Sequence, residues 1–249
     1  MTVTARLLKA IAHEERAVLF TVIEGDAVGS RLLVLEGGER VGNGVPESIA
    51  ARADRLIRDH RNQIVEEEGL RVFAEIFGPP PRLFVYGAVD TAQALCAAAR
   101  LLGWRTIVAD ARAAFATRER IPDADELIVA WPEEALAAIA PDHATAVVVL
   151  THDDKFDVPA LKAALATEAF YVGALGSRRN QERRRERLLE AGLSAASLDR
   201  ISGPCGLDIG ADSQPETALS ILTEIVAVRA GRDGGRLASA KQRIHASGD

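Results

Sequence analysis

The pattern of hydrophobic and polar positions changes at residues 78–81, where one glycine and three consecutive prolines exclude a continuous helix or strand. Upstream, residues 1–77 have the pattern of a small α+β domain. Apolar and alternating runs predict strands over Ala17–Glu24 and residues 32–36, a helix over residues 48–60, and a strand or short helix over residues 70–76.

Downstream of the prolines, short apolar runs alternate with longer segments of helical periodicity. The predicted strands cover residues 83–86, 106–109, 126–130, 145–150 and 169–175. Five helices are predicted. The first has residues 92, 95, 96, 99 and 102 on its apolar face. The other four cover Pro132–Ile139 and residues 158–167, 178–191 and 215–230. Before the last helix, Ser213 and Glu216 have the spacing of a capping box.

The apolar runs in this second part indicate strands buried on both faces of a parallel sheet, as in residues 146–150. Helices between successive strands indicate right-handed βαβ units. We therefore predict an α/β protein, with a Rossmann-like doubly wound parallel sheet over residues 82–230 preceded by the small α+β domain. The Gly-, Ser- and Arg-rich residues 231–249 are predicted to form a flexible tail.

Composition narrows the functional classes. The chain has 249 residues, and its net charge of −6, from 30 basic and 36 acidic side chains, argues against a general nucleic-acid binder. No apolar run approaches the roughly 18 residues of a membrane span, and no secretory segment is evident, so we expect a cytoplasmic protein. Two cysteines cannot form a disulfide framework, and five scattered histidines do not indicate a histidine metal centre.

The turn after the first strand of the sheet departs from the dinucleotide-binding pattern G-x-G-x-x-G/A. Gly87 occupies the first glycine position, but Val89 stands where the second glycine lets a pyrophosphate approach the backbone. Asp90 adds a carboxylate that would cap the helix and occupy the site of an anion. Asp110, at the end of the second strand, is placed to hold a ribose hydroxyl. We favour a structural turn over tight NAD(P) binding.

Polar residues follow the strand over residues 145–150 at its carboxyl end, where open α/β sheets bind ligands. These residues are Thr151, His152 and Asp153. His152 could donate a hydrogen bond to an anionic ligand or carry a proton near neutral pH. The alternative is that it caps the next helix together with Asp153.

A second candidate begins the charged helix. Ser177, Arg178 and Arg179 follow the glycine-containing strand end that starts at Gly173. Backbone N–H groups, the helix dipole and two guanidiniums would converge there, which suits a phosphate. Farther along this helix, arginines alternate with glutamates at helical spacing, which favours a solvated or docking face for Arg183, Arg184, Arg185 and Arg187.

Two loop residues before the last helix and two cysteines have side chains or positions suited to ligand binding or packing. Asp208 and Gly210 belong to a Gly-rich turn before the last helix, where Asp208 could bind ring nitrogens of a ligand or cap the turn. Cys205, between glycines, is predicted to be exposed; it is either a thiolate donor for a metal or an ordinary loop cysteine. Cys96 lies on an apolar helix face and is predicted to be structural.

Four stretches resemble the XdhC/CoxI family of molybdenum-hydroxylase accessory proteins. They are GAVDTAQAL at residues 87–95, THD at 151–153, YVGALGSRR at 171–179, and GLDIGA at 206–211 followed by ALSI at 218–221. The resemblance implies a protein that holds molybdenum cofactor, supports exchange of a terminal oxo ligand for sulfido, and hands the cofactor to an apo-hydroxylase of the xanthine dehydrogenase or CO dehydrogenase type. It implies a chaperone rather than an enzyme with its own turnover, and a cysteine desulfurase-type sulfur donor.

On this hypothesis the cofactor phosphate would lie on Ser177, Arg178 and Arg179, with Thr151, His152 and Asp208 around the pterin. The sequence departs from the family in two places. The loop at residues 42–47 lacks the family's cysteine, and the first turn has Val89 and Asp90 where relatives have glycine and histidine.

Two competing hypotheses remain open. One is an NAD(P)-dependent oxidoreductase, which Val89 and Asp90 disfavour. The other is a ligand-free scaffold whose sheet only presents a docking surface. A homodimer is compatible with the sequence but is not indicated by it.

Overall fold

The computed structural model describes residues 1–67 and 69–240. The chain forms two compact units, one built on Met1–Pro79 and one of Pro80–Gly235. In the predicted tail, residues 241–249 lie outside the described residues, and a short 3-10 helix covers Leu237–Ser239.

The first unit is an antiparallel five-stranded sheet with helices, as the α+β prediction requires. Its sheet has the order β3-β2-β1-β5-β4. Its elements are α1 (Val3–Ala12), β1 (Ala17–Glu24), β2 (Arg31–Leu35), β3 (Arg40–Gly42), α2 (Glu47–Ala50), α3 (Ala53–Asp59), β4 (Gln63–Glu67) and β5 (Leu70–Phe77).

Side-chain alternation along β1 supplies two cores, one on each face of this sheet. Val18 and Phe20 pack with Ile49 and Leu56 of the short helices, whereas Leu19 packs with the α1 side. The prediction of a single helix over residues 48–60 is wrong, because the structure has two separate helices there, α2 and α3. Helix α1 and strands β3 and β4 were not predicted from the sequence; β3 is only three residues long and mostly exposed.

The second unit contains a six-stranded parallel sheet with the order β11-β10-β9-β6-β7-β8. Every pairing within it is parallel. Its elements are β6 (Arg82–Tyr86), α4 (Asp90–Leu101), β7 (Arg105–Ala109), β8 (Glu126–Ile128), α5 (Pro132–Ile139), β9 (Thr145–Val149), α6 (Asp154–Leu165), β10 (Tyr171–Ala174), α7 (Arg178–Glu190), α8 (Ala195–Leu198), β11 (Ile201–Ser202) and α9 (Gln214–Arg229).

Helices cover both faces of this sheet, which confirms the doubly wound prediction. Alternate residues of β6 divide between two cores: Val85 packs with the α4 and α9 side, and Phe84 packs with the α5, α6 and α7 side. Every residue of β9 is buried, as the apolar run over residues 146–150 predicts.

At the N-termini of α9 and α6, side-chain caps determine where the helix begins. The capping box before α9 is confirmed, since the Ser213 hydroxyl accepts the Glu216 N–H and the Glu216 carboxylate accepts the Ser213 N–H at 2.8 Å. Helix α6, predicted from residue 158, instead starts at Asp154. The Asp153 side chain caps it by accepting the Lys155 N–H, so Pro159 lies within the helix rather than at its start.

Candidate functional site

The candidate site lies at the point of the parallel sheet where two neighbouring strands are followed by helices on opposite faces. Strands β6 and β9 are neighbours, with Tyr86 beside Val149, but the chain leaves them toward α4 and α6 on opposite faces. A crevice opens at the carboxyl ends of strands at such a switch point. It holds a cavity of about 500 Å³ lined by Val89, Asp90, Thr91, Arg112, Leu150, Thr151, His152, Asp153, Phe156, Leu175 and Gln214.

The first turn brings Gly87 against Thr151. Gly87 has φ +112°, and a Cβ added there would lie 2.9 Å from the Thr151 Cγ2 and 3.2 Å from the Thr151 N. Only glycine therefore lets the ends of β6 and β9 approach this closely. Gly87 does not line the cavity, so in this structure its role is to position Thr151 at the edge.

Val89 and Asp90 both face the cavity at the start of α4. Val89, not Asp90, is the N-cap residue, and it supplies no side-chain cap. The prediction that Asp90 caps the helix is therefore wrong. The Asp90 carboxylate is largely exposed and forms a 3.5 Å ion pair with Arg120. The branched Val89 side chain lies in the cavity wall, where the dinucleotide pattern requires glycine.

Asp110 has a structural role in place of the predicted ribose contact. It is buried and accepts hydrogen bonds from the Ala88 N–H, from the Arg112 N–H and from the Arg112 guanidinium, at 2.7–3.0 Å. Burial acts to raise its pKa, but these hydrogen bonds outweigh burial and hold the pKa below its usual value. The carboxylate thus organises the turn, and Arg112 is the residue that reaches the cavity.

Beneath the cavity, a chain of hydrogen bonds runs from Thr151 through Asp157 to Arg184. The Thr151 hydroxyl donates to the Asp157 Oδ1, and the Arg184 Nη2 lies 2.6 Å from the Asp157 Oδ2. Asp157 and Arg184 are 2% and 4% exposed. Arg184 also donates to the carbonyl of Leu175 at 3.1 Å, which fixes the end of β10.

This arrangement corrects the prediction that all four inner arginines of α7 are solvated. Arg184 is buried because its charge has a buried carboxylate partner on another helix. The other three form ion pairs with partly or fully exposed side chains: Arg183 and Arg187 with Asp154, and Arg185 with Asp199. For these three, the solvated-face prediction is confirmed.

His152 and Asp153 lie at the cavity mouth. Both are exposed, and both line the cavity. Asp153 is the cap of α6, and hydrogen bonds from the Lys155 backbone and side chain lower its pKa. His152 makes no capping bond in α6, so the alternative that it caps this helix together with Asp153 is wrong.

The second predicted group lies outside the cavity lining. Ser177 caps α7 by accepting the Asn180 N–H at 3.3 Å, and Arg178 and Arg179 follow it. All three are exposed, and neither arginine has an ion-pair partner within residues 1–67 and 69–240. Asp208 and Gly210 are also exposed and do not line the cavity.

Gly173 and Cys205 are part of the core. A Cβ on Gly173 would lie 2.6 Å from the Tyr171 ring, so this glycine makes room for an aromatic side chain. The predicted exposure of Cys205 is wrong, since it is only 7% exposed and packs among core residues. Burial raises the pKa of Cys205, and also that of Cys96, to about 12.

Sequence reasoning missed several residues that form the site, because each comes from a separate segment. Phe156, Thr91 and Gln214 line the cavity, and the Thr91 hydroxyl donates to the Gln214 Oε1. Phe156 packs against Trp131 with ring centroids 5.3 Å apart. The position of Thr91 and Phe156 in first helical turns after β6 and β9 is the signal that could have indicated them.

Membrane-spanning helices and clustered metal ligands are both absent from the described ranges 1–67 and 69–240. No helix there has the length and apolar character needed to cross a membrane. No group of three or more His, Cys, Asp or Glu side chains there is arranged to hold a metal ion.

Comparison with known proteins agrees with the fold. The family model of the XdhC Rossmann domain matches residues 83–225. A probable xanthine dehydrogenase subunit of Bacillus subtilis is 33% identical over 163 residues, which are 66% of this chain and 47% of that protein. The molybdenum cofactor insertion chaperone PaoD of Escherichia coli is 33% identical over 153 residues, which are 61% of this chain and 42% of PaoD.

A solved structure extends the likeness beyond the Rossmann unit. The crystal structure of a xanthine dehydrogenase from Bacillus halodurans has a TM-score of 0.69 and 25% identity, covering 91% of this chain and 66% of that one. The chain spans less than half the length of the two curated relatives. Because the family model covers more than half of this chain, the predicted resemblance is confirmed, and the chain belongs to the XdhC Rossmann domain family.

Proposed function

We propose that this chain binds molybdenum cofactor as cargo in the cavity between β6 and β9 and assists its insertion into an apo-hydroxylase. The observation that carries the proposal is the cavity itself, at the switch point of a fold shared with a named molybdenum cofactor insertion chaperone. On this proposal the chain is a chaperone without turnover of its own.

The lining of the cavity suits a ring system with polar edges. Its volume of about 500 Å³ lies within the ordinary range of small-molecule sites. Leu150, Leu175 and Phe156 supply apolar walls, and polar groups stand between them. Val89 and Asp90 oppose a pyrophosphate at the α4 turn, so a phosphate would instead extend toward Arg178 and Arg179 at the start of α7.

The partners follow from the same proposal. The client would be an apo-hydroxylase of the xanthine dehydrogenase or CO dehydrogenase type, with a cysteine desulfurase-type protein as sulfur donor, all in the cytoplasm; a homodimer is the proposed assembly. Cys96 and Cys205 are both buried with strongly raised pKa values, so neither offers a thiolate to carry sulfur. A sulfur donor would therefore act on the cargo without a relay thiol from this chain.

Pterin content tests this function. The protein is purified from molybdenum-replete cells, oxidised in acid, and assayed for fluorescent pterin, with molybdenum measured in parallel. Leu175→Trp adds bulk to the cavity wall and should remove most of the pterin. Leu189→Trp, on the exposed side of α7, is the matched control and should retain it. Absence of pterin from the parent protein would favour the scaffold hypothesis.

A further inference from the structure

Thr151 is a cavity residue whose hydroxyl donates to a buried ion pair. Its methyl group lies against Gly87 and its hydroxyl against Asp157, so both branches of the side chain have fixed neighbours. The residue is 5% exposed and lines the cavity.

The partner of the hydroxyl decides what Thr151 can offer. Arginine is always protonated, and the Arg184 Nη2 donates to the Asp157 Oδ2 at 2.6 Å. The Asp157 carboxylate has only acceptors, so its Oδ1 must take the Thr151 proton. The single hydroxyl proton is thereby used inside the protein, so the Thr151 oxygen can offer a ligand only its lone pairs.

Thr91 also lines the cavity, but its hydroxyl has a different kind of partner. It donates to the side-chain amide of Gln214, which carries both donor and acceptor atoms. Rotation of that amide would present its NH₂ group to Thr91 and release the hydroxyl proton. Thr151 has no such freedom, because a carboxylate held by an arginine cannot donate.

We propose that Thr151 is a specificity-determining acceptor for an exocyclic amino group on a heteroaromatic ligand, with Asp157 and Arg184 as positioning residues. An exocyclic amino group projects beyond its ring and can therefore reach a nearly buried oxygen. A carbonyl oxygen at the same ring position would face the Thr151 lone pairs without a proton between them. The inference rests on the proposed function and deepens it, since it names the edge of the pterin that the cavity recognises.

Pterin and lumazine test the inference, because they share a bicyclic ring and differ at the 2 position, amino in one and carbonyl in the other. Equilibrium titration of the full chain should show pterin binding at least about tenfold more tightly than lumazine. Thr151→Val removes the acceptor and should reduce this preference to less than about threefold. Arg185→Gln, whose ion pair with Asp199 is exposed, is the matched control and should leave the preference unchanged.

Asp157→Asn provides the sharper readout. Its amide oxygen would accept from Arg184, so its NH₂ group would donate to the Thr151 oxygen and turn the hydroxyl proton toward the cavity. The preference should then reverse in favour of lumazine. A structural role alone would lower the thermal midpoint or both affinities together, without changing their ratio.

The outcomes separate the two proposals. Equal binding of pterin and lumazine by the parent, or a preference that survives Thr151→Val, overturns the role of Thr151 and leaves cofactor binding intact. If the parent binds neither compound, cofactor binding in this cavity is wrong, and the role of Thr151 falls with it.

Discussion

The guanidinium of Arg184 lies 2.6 Å from the carboxylate of Asp157, and both side chains are almost wholly buried. This pair joins helices α6 and α7 beneath the cavity and holds the Thr151 hydroxyl. The attraction between the two charges is strong, because little water is present to screen it.

Removing Arg184 should destabilise the protein far more than removing its neighbour. Arg184→Met leaves a buried carboxylate without its partner, at a cost of about 3–5 kcal/mol. Arg185→Met breaks an exposed pair with Asp199 and should cost less than about 1 kcal/mol. Urea unfolding of the two variants measures the difference, and similar losses in both would contradict the burial of Arg184.

The buried thiols should make stability fall in alkali. Burial raises the pKa of Cys96 and Cys205 to about 12, above the value in the unfolded chain. Their contribution to the free energy of unfolding is therefore fully present below pH ~9. It is lost as the pH rises toward 12, because over this range only the unfolded state releases the thiol protons. The free energy of unfolding should fall by at most about 1.4 kcal/mol per pH unit for each thiol.

The double variant Cys96→Ala, Cys205→Ala tests this dependence through unfolding free energies between pH 8 and 11. Its curve should be flatter than that of the parent, although its stability at pH 8 is lower. Both parent thiols should also resist alkylation at neutral pH until the protein is unfolded. Rapid alkylation of native Cys205 would contradict its burial.

The first turn should exclude dinucleotides. Val89 occupies the cavity wall and Asp90 places a negative charge beside it, so NAD(H) and NADP(H) should bind weakly or not at all. Val89→Gly combined with Asp90→His should improve binding by about 1–3 kcal/mol. Most of this gain should come from Val89, because water screens the exposed Asp90. Micromolar NAD binding by the parent in calorimetry would show that the turn is no barrier.

The start of α7 should bind the phosphate of the cargo. Arg178→Gln with Arg179→Gln removes the two exposed guanidiniums there and should weaken binding of a phosphate-bearing pterin about ten- to a hundredfold. Arg183→Gln with Arg185→Gln removes the same charge from positions already paired with carboxylates, and should change affinity little. Equilibrium titration of the two double variants at two salt concentrations compares their affinities. Equal losses of affinity would indicate long-range electrostatic attraction instead of a phosphate site.

Much of the architecture follows from local sequence alone. The unbroken apolar run before Thr151 and the helices between such runs predict a doubly wound sheet, since periodicity records which faces of an element are buried. From the sequence alone, Thr151 and His152 are predicted at the ligand-binding edge, and Val89 departs from the pattern of a phosphate-binding turn.

The tertiary structure alone decided which polar residues are buried and what they contact. In sequence, Arg184 cannot be distinguished from Arg183 and Arg185, and its burial depends on Asp157, 27 positions away on another helix. Cys205 follows a loop pattern, yet the fold packs it into the core. Local patterns report the period of one element, whereas the burial of a charge or thiol depends on partners that only the folded chain brings together.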